Sequence, residues 1–166
     1  MNIYEFLDTH DIAYQRYDHP AVFTCEEADR LVPPMPGAKT KNLFLYDKKE
    51  DRHFLVVVEC SVIVDLKALS GALGVKKLAL ASERRLSHHL GLDAGAVTVL
   101  GLINDTRGAV EVVIDRELWG CKMFRCHPLV NTSSLAISKQ DLERFIDLTG
   151  HTATILDVPQ KRSGTG

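Results

Sequence analysis

The chain has 166 residues, 45% hydrophobic and 25% charged, which suits one compact domain with a real core and excludes a disordered segment. A formal net charge of −2, from 20 basic and 22 acidic residues, argues against a protein that grips nucleic acid through a broad basic surface. No apolar run approaches the roughly 20 residues that span a bilayer. Residues 1–10, which carry Glu5 and Asp8, lack the basic start and apolar run of a signal peptide, so a cytoplasmic location is expected.

In chain order, Ile3, Phe6 and Leu7 share a helical face and predict a helix over 2–11. Residues 13–18 read as extended. Thr24 with Glu27 three residues on is a capping box that opens a short helix through Leu31. Pro33, Pro34, Pro36 and Gly37 force a loop. Strands are predicted at 40–46 and 53–59; the second, apolar on both faces at residues 54–58, should be central in its sheet. Asp65 caps a helix ending at Gly71 or Gly74, and Ser82 caps another that stops at Gly91. Residues 96–103 and 109–114 are β-rich around a turn at 104–108, which predicts a hairpin. A strand-like stretch covers 122–126. Ser138 starts the clearest helix, with Leu142, Phe145, Ile146 and Thr149 on one side and Gly150 after it. A last strand at 152–158 closes a single domain over 1–158, and 159–166 reads as a mobile tail. The mixture of strand pairs and helices predicts an α/β domain with a mixed, strongly curved sheet.

The four cysteines, Cys25, Cys60, Cys121 and Cys126, show no CxxC spacing and are expected to be free thiols. A metal site from Cys121, Cys126 and His127 is disfavoured, because consecutive residues of a strand point to opposite faces. No nucleotide-phosphate loop and no GxSxG elbow occurs, which argues against a covalent hydrolase.

Six residues stand out for chemistry. Lys41 and Asn42 sit at the mouth of an otherwise apolar strand, with Thr40 before them; Lys41 is either a snorkelling surface residue or a cation directed at a phosphate or carbonyl oxygen. His127 precedes Pro128, which restricts its backbone and so fixes where the ring points, either as a structural histidine or as a neutral donor or acceptor for a polar substrate. Asn131 either caps the following loop or binds substrate. Gly101 marks a bulge, or a place where a ligand approaches backbone amides closely. His88 and His89 fall on a surface helix and are expected to be solvated.

Several strings then converge: Asp18-His19-Pro20-Ala21-Val22-Phe23-Thr24, Gly37-Ala38-Lys39-Thr40-Lys41-Asn42-Leu43-Phe44-Leu45, Gly101-Leu102-Ile103-Asn104-Asp105-Thr106 and His127-Pro128-Leu129-Val130-Asn131. In that order they resemble the YbaK/ProX superfamily of aminoacyl-tRNA deacylases, which includes the editing insertion of bacterial prolyl-tRNA synthetases, and they look most like its freestanding alanyl-tRNA(Pro) deacylase branch. The resemblance implies a curved mixed sheet flanked by helices, hydrolysis of a mischarged aminoacyl ester, and neither metal nor cofactor. It implies Lys41 as the essential lysine, with Thr40, Asn42, Gly101, His127 and Asn131 about the substrate. The implied partners are the acceptor end of tRNA for proline and prolyl-tRNA synthetase, with no membrane and no DNA among them. One departure is Val99, where many relatives carry proline; it bears on which amino acid is removed. The rival readings are a non-catalytic tRNA-binding module on the same fold and a deacylase for cysteine or serine.

Overall fold

The computed structural model describes residues 2–161. It opens with α1 (Ile3–Thr9), β1 (Gln15–Asp18) and α2 (Cys25–Leu31). The strand pair β2 (Thr40–Asp47) and β3 (Arg52–Glu59) follows, then α3 (Leu66–Leu73), β4 (Ala79–Leu80) and α4 (Glu83–Leu90). Two 3₁₀ segments, Ala94–Ala96 and Val99–Asn104, lead to β5 (Val110–Asp115) and the short α5 (Arg116–Trp119). The chain closes with β6 (Met123–Cys126), β7 (Ser133–Ser138), α6 (Lys139–Leu148) and β8 (Ala153–Leu156).

The helix ends follow their capping chemistry. The Thr24 side chain accepts from the Glu27 amide at 3.1 Å, Asp65 from Ala68 at 3.1 Å, Ser82 from Arg85 at 3.2 Å and Ser138 from Asp141 at 3.2 Å. Each satisfies an amide that the first turn leaves without a partner. Gly74 and Gly91 end α3 and α4 in the left-handed conformation, at φ 71° and 63°, where a side chain would be strained.

Hydrogen bonding divides the expected curved sheet into two. A five-stranded mixed sheet has the order β4-β2-β3-β5-β8, with β2 antiparallel to β3 and β4, and β3, β5 and β8 mutually parallel. A three-stranded antiparallel sheet has the order β1-β7-β6. β3 lies in the middle of the larger sheet, as its two apolar faces require. Leu55 and Val57 point into a core shared with α1, α4, α6 and the smaller sheet. Phe54, Val56 and Val58 point into a second core under α3. The α/β class therefore holds, with helices flanking the sheets.

Three expectations are corrected. Residues 96–103 form no strand, and there is no hairpin: Thr98 turns back to accept from the Leu100 amide at 3.3 Å, and Val99, Leu100 and Leu102 are all buried in one core. An apolar run buried on every side has no period to separate strand from helical turn. Residues 159–161 are not tail: the Pro159 carbonyl accepts from Asp65 at 2.9 Å, and the Lys161 amide donates to Ile63 at 2.8 Å. Residues 162–166 lie outside the described part. His89 is only partly solvated: its ring lies 4.0 Å from that of buried His53, whose own pKa falls to about 4 through burial, the neighbouring His89 and Arg85. No helix of the described residues is long and apolar enough to cross a membrane.

In place of the hairpin, a buried polar anchor starts β5. The Asp105 carboxylate accepts from the Ala109 and Val110 amides at 3.1 and 2.8 Å and meets His151 Nε2 at 2.7 Å, with both side chains almost fully enclosed. Removing Asp105 leaves the buried donors of Val110 and His151 unmatched, each costing about 1–3 kcal/mol. Asp105→Ala is accordingly expected to lose about 3 kcal/mol or more in urea unfolding; a loss below about 1 kcal/mol would remove Asp105 as the anchor.

Candidate active site

The first residues of β2 open onto a cavity of about 200 Å³. Five stretches of chain enclose it: residues 22–25 with Ala28, the start of β2 at Thr40, Lys41 and Asn42, Cys60 just beyond β3, the loop residues Ala94, Gly95 and Val97, and His127 after β6. A smaller lobe of about 50 Å³ adjoins it and shares Ala28, Thr40, Cys60 and His127. Although Lys41 and Asn42 alternate across the strand, both line the cavity, which runs over the strand's beginning.

Lys41 is half-buried, and its ammonium group donates to the Val62 carbonyl. Burial lowers its pKa from the usual lysine range, and the nearby Glu59 carboxylate acts in the opposite sense. Asn42 contributes a buried Oδ1 with no hydrogen-bond partner among the described residues. An unmatched buried acceptor is costly. The Thr40 hydroxyl is already engaged, donating to the Arg125 carbonyl at 2.7 Å; Thr40 fixes β2 against β6 and forms the surface between the two lobes.

His127 comes from the chain just past β6. Its Nδ1 lies 3.0 Å from the Ser133 carbonyl, and a carbonyl can only accept, so Nδ1 carries the proton and Nε2 the lone pair. Burial lowers the pKa of the ring; the Ser133 carbonyl opposes this, while neighbouring His19 adds to it. His127 is therefore a neutral acceptor above the ordinary imidazole range. His19 is itself occupied, with Nδ1 at 2.8 Å from the Pro20 carbonyl and Nε2 at 2.9 Å from the Ser134 hydroxyl. The two rings, 6.3 Å apart, couple the loop before α2 to the smaller sheet.

The other two sequence candidates stand elsewhere. Gly101 does not reach the cavity: its amide donates to the Thr98 carbonyl at 3.0 Å, and a Cβ there would come within 2.7 Å of Leu92 Cδ1. Its role is close core packing. The glycine at the cavity is Gly95, where a Cβ would meet the Phe23 ring at 2.9 Å. Asn131 does not line the cavity and instead supports its rim, with Nδ2 donating to the Val22 carbonyl at 3.0 Å and its own carbonyl accepting from Val22 at 3.2 Å.

Sequence reasoning missed Cys25 and Cys60 as cavity residues. They are not free thiols: they form a disulfide across 35 residues of sequence, with Cα atoms 6.0 Å apart. The first turn of α2 is thereby tied to the end of β3. No spacing rule could reveal the pair, because the two segments meet only through the sheet. Cys121 and Cys126 are free, and burial pushes the Cys126 thiol up to about 12. Phe23 and Gly95 were also missed as wall residues, though Phe23 stood within a quoted string.

A lysine, a histidine held as a neutral acceptor and an asparagine thus line one small cavity. This set can hold a polar substrate by hydrogen bonds and stabilise negative charge on an oxygen. Known proteins share the fold and much of the sequence. A crystal structure of a candidate trans-editing enzyme for prolyl-tRNA synthetase superposes with a TM-score of 0.68, covering 93% of this chain and 92% of that one at 19% identity. A hypothetical protein superposes at 0.74, covering 94% and 97% at 18% identity. These two likenesses establish the fold. In sequence, the prolyl-tRNA editing protein ProX of Acetoanaerobium sticklandii is 37% identical over 152 residues, 92% of this chain and 93% of that protein. The prolyl-tRNA synthetase associated domain-containing protein 1 of Danio rerio is 44% identical over 154 residues, 92% of this chain and 83% of that protein. The family model of the aminoacyl-tRNA editing domain matches residues 19–145, and the chain belongs to that family.

Proposed function

We propose that this protein is a trans-editing hydrolase of the cytoplasm that cleaves the aminoacyl ester of mischarged tRNA for proline, with alanyl-tRNA(Pro) as substrate. The observation that carries this reading is the convergence of Lys41, Asn42 and His127 on one cavity of about 200 Å³ in a chain of the editing-domain family. The names of the relatives, one a prolyl-tRNA editing protein and another a prolyl-tRNA synthetase associated domain-containing protein, support tRNA for proline as the carrier and the synthetase as a partner.

The chemistry asks little of the protein. An aminoacyl ester is already activated, so a held water and a stabilised oxyanion suffice without a protein nucleophile. Water attacks the ester carbonyl, the bond from carbonyl carbon to ribose oxygen breaks, and that oxygen leaves as a hydroxyl after taking a proton. Lys41 supplies positive charge to the oxygen that gains charge, or to the neighbouring phosphate. His127 Nε2 accepts from a donor of the substrate, such as its α-ammonium group, and Asn42 forms part of the wall beside it. Neither metal nor cofactor enters this scheme.

Selectivity follows from size. A synthetase site shaped for proline rejects a smaller side chain weakly, since each missing methylene is worth about 1–3 kcal/mol. A second, smaller site inverts the test by admitting alanine and excluding the pyrrolidine ring. In a panel of tRNA for proline charged with alanine, serine, cysteine or proline, alanine is expected to be cleared fastest and proline spared. Equal rates for alanine and proline would overturn the size argument. Fastest clearance of cysteine or serine would reassign the substrate.

Lys41→Ala is expected to reduce single-turnover deacylation by about 100-fold or more, the scale of losing one preorganised charge-stabilising donor, with the thermal midpoint near wild type. Lys41→Arg should also be badly impaired, because a planar fork does not replace a compact ammonium ion. A folded Lys41→Ala protein of near wild-type rate would remove Lys41 from the mechanism.

His127 acts as a neutral acceptor, and its folded pKa is depressed. The accepting form is therefore complete above the ordinary imidazole value and is lost only as pH falls through the lowered one. His127→Ala is expected to raise KM while kcat stays within about tenfold, and to abolish the acid-side rise in KM of the wild type. A fall in kcat as large as that of Lys41→Ala would make His127 the general base.

A further inference from the structure

Phe23 is the most exposed large hydrophobic residue of the described chain, 69% open to solvent, yet it sits on the rim of the active-site cavity. Its position is fixed from both sides. Val22 before it is buried and is bonded through both backbone groups to Asn131, at 3.2 and 3.0 Å. Thr24 after it is the N-cap of α2, tied to the Glu27 amide at 3.1 Å. One edge of the ring rests on Gly95, so closely that a Cβ there would stand 2.9 Å from Cδ1 and 3.0 Å from Cε1. The remainder of the ring is open. The fold thus holds an aromatic side chain at the cavity mouth without burying it.

We propose that Phe23 is a base-stacking platform for the terminal nucleobase of the aminoacylated strand. The proposal rests on the deacylase reading, and it adds a ligand subsite to it. Every aminoacyl-tRNA carries its amino acid on the ribose of its last nucleoside, so an ester seated beside Lys41 brings a purine to the cavity rim, one sugar away. An exposed phenyl face accepts a base without needing a polar partner, because every base presents a π-face. Stacking also answers the charge problem: a chain of net charge −2 has little long-range pull on a polyanion, and an aromatic contact supplies affinity that does not depend on phosphate. Gly95 takes its meaning from this arrangement, since any side chain there would displace the ring.

The test separates the base from the ester. Two substrates are compared, 2′(3′)-O-alanyl-adenosine and the baseless 2′(3′)-O-alanyl 1-O-methylriboside, together with the non-hydrolysable 3′-alanylamido-3′-deoxyadenosine for direct binding. Wild type is expected to favour the adenosine ester through KM. Phe23→Ala should raise that KM about 5- to 150-fold, the range of one base–aromatic stack, with little change for the baseless ester. Phe23→Trp should restore the preference and Phe23→Leu should not. The amide analogue should weaken in parallel with the KM of the adenosine ester. An unchanged KM in Phe23→Ala, or an equal loss on both esters, would overturn the platform. Phe23-dependent binding of the amide without hydrolysis of either ester by wild type would uphold the subsite and sink the deacylase reading, so the two failures are distinct. Because the side chain is mostly exposed, the substitutions leave the core intact, and thermal melting of each variant checks it.

Discussion

The candidate site depends on the pairing of β2 with β3. β3 is buried on both faces, so its strand direction and register leave almost no freedom: a slip of one residue would exchange the two cores. Thr40 lies opposite Glu59 and Lys41 opposite Val58, so the position of the lysine along the sheet is set by apolar residues that never meet the substrate. The polar start of β2 emerges where that apolar pairing ends. Burial lowers the pKa of this cation, and the Val62 carbonyl accepts a hydrogen bond from it.

The second constraint comes from the smaller sheet. His127 and Asn131 belong to the connection between β6 and β7, and each uses its hydrogen bonds to fix geometry. His127 bonds to Ser133, within β7, and Asn131 to Val22, in the loop that enters α2. The cavity therefore lies at a junction of two sheets, with a wall from each. His127 and Asn42 come from different sheets, which is why the two-core packing decides whether they line the same space.

Much of this was legible in the chain. Capping residues located four helices because the cap is a local event within a few residues, as at Thr24, Asp65, Ser82 and Ser138. The β2–β3 pair was legible because residues 54–58 have no polar side. Lys41, Asn42 and Thr40 stood out as polar residues opening an apolar strand, and they line the cavity, as His127 does. What stayed hidden was non-local. β7 is rich in serine, and its burial comes only from the strands on both sides of it. Residues 96–103 looked like a strand because burial, and not alternation, shaped their composition. Gly101 and Gly95 are both glycines in one apolar stretch; only the fold shows that Leu92 crowds the first and Phe23 the second.

The cavity also has a temporal side. Its walls come from residues near 23, 41, 60, 95 and 127, so it cannot exist until distant parts of the chain have been joined. Loop closure over such separations delays contact formation, and ligand-binding regions are drawn from the less stable parts of a domain. The link between Cys25 and Cys60 joins two of those walls directly. It shortens the set of independent pieces from five to four and keeps α2 against the end of β3 during local opening. A fragment carrying only the Thr-Lys-Asn-Leu-Phe-Leu string would hold the most recognisable part of the sequence and one wall of the chamber.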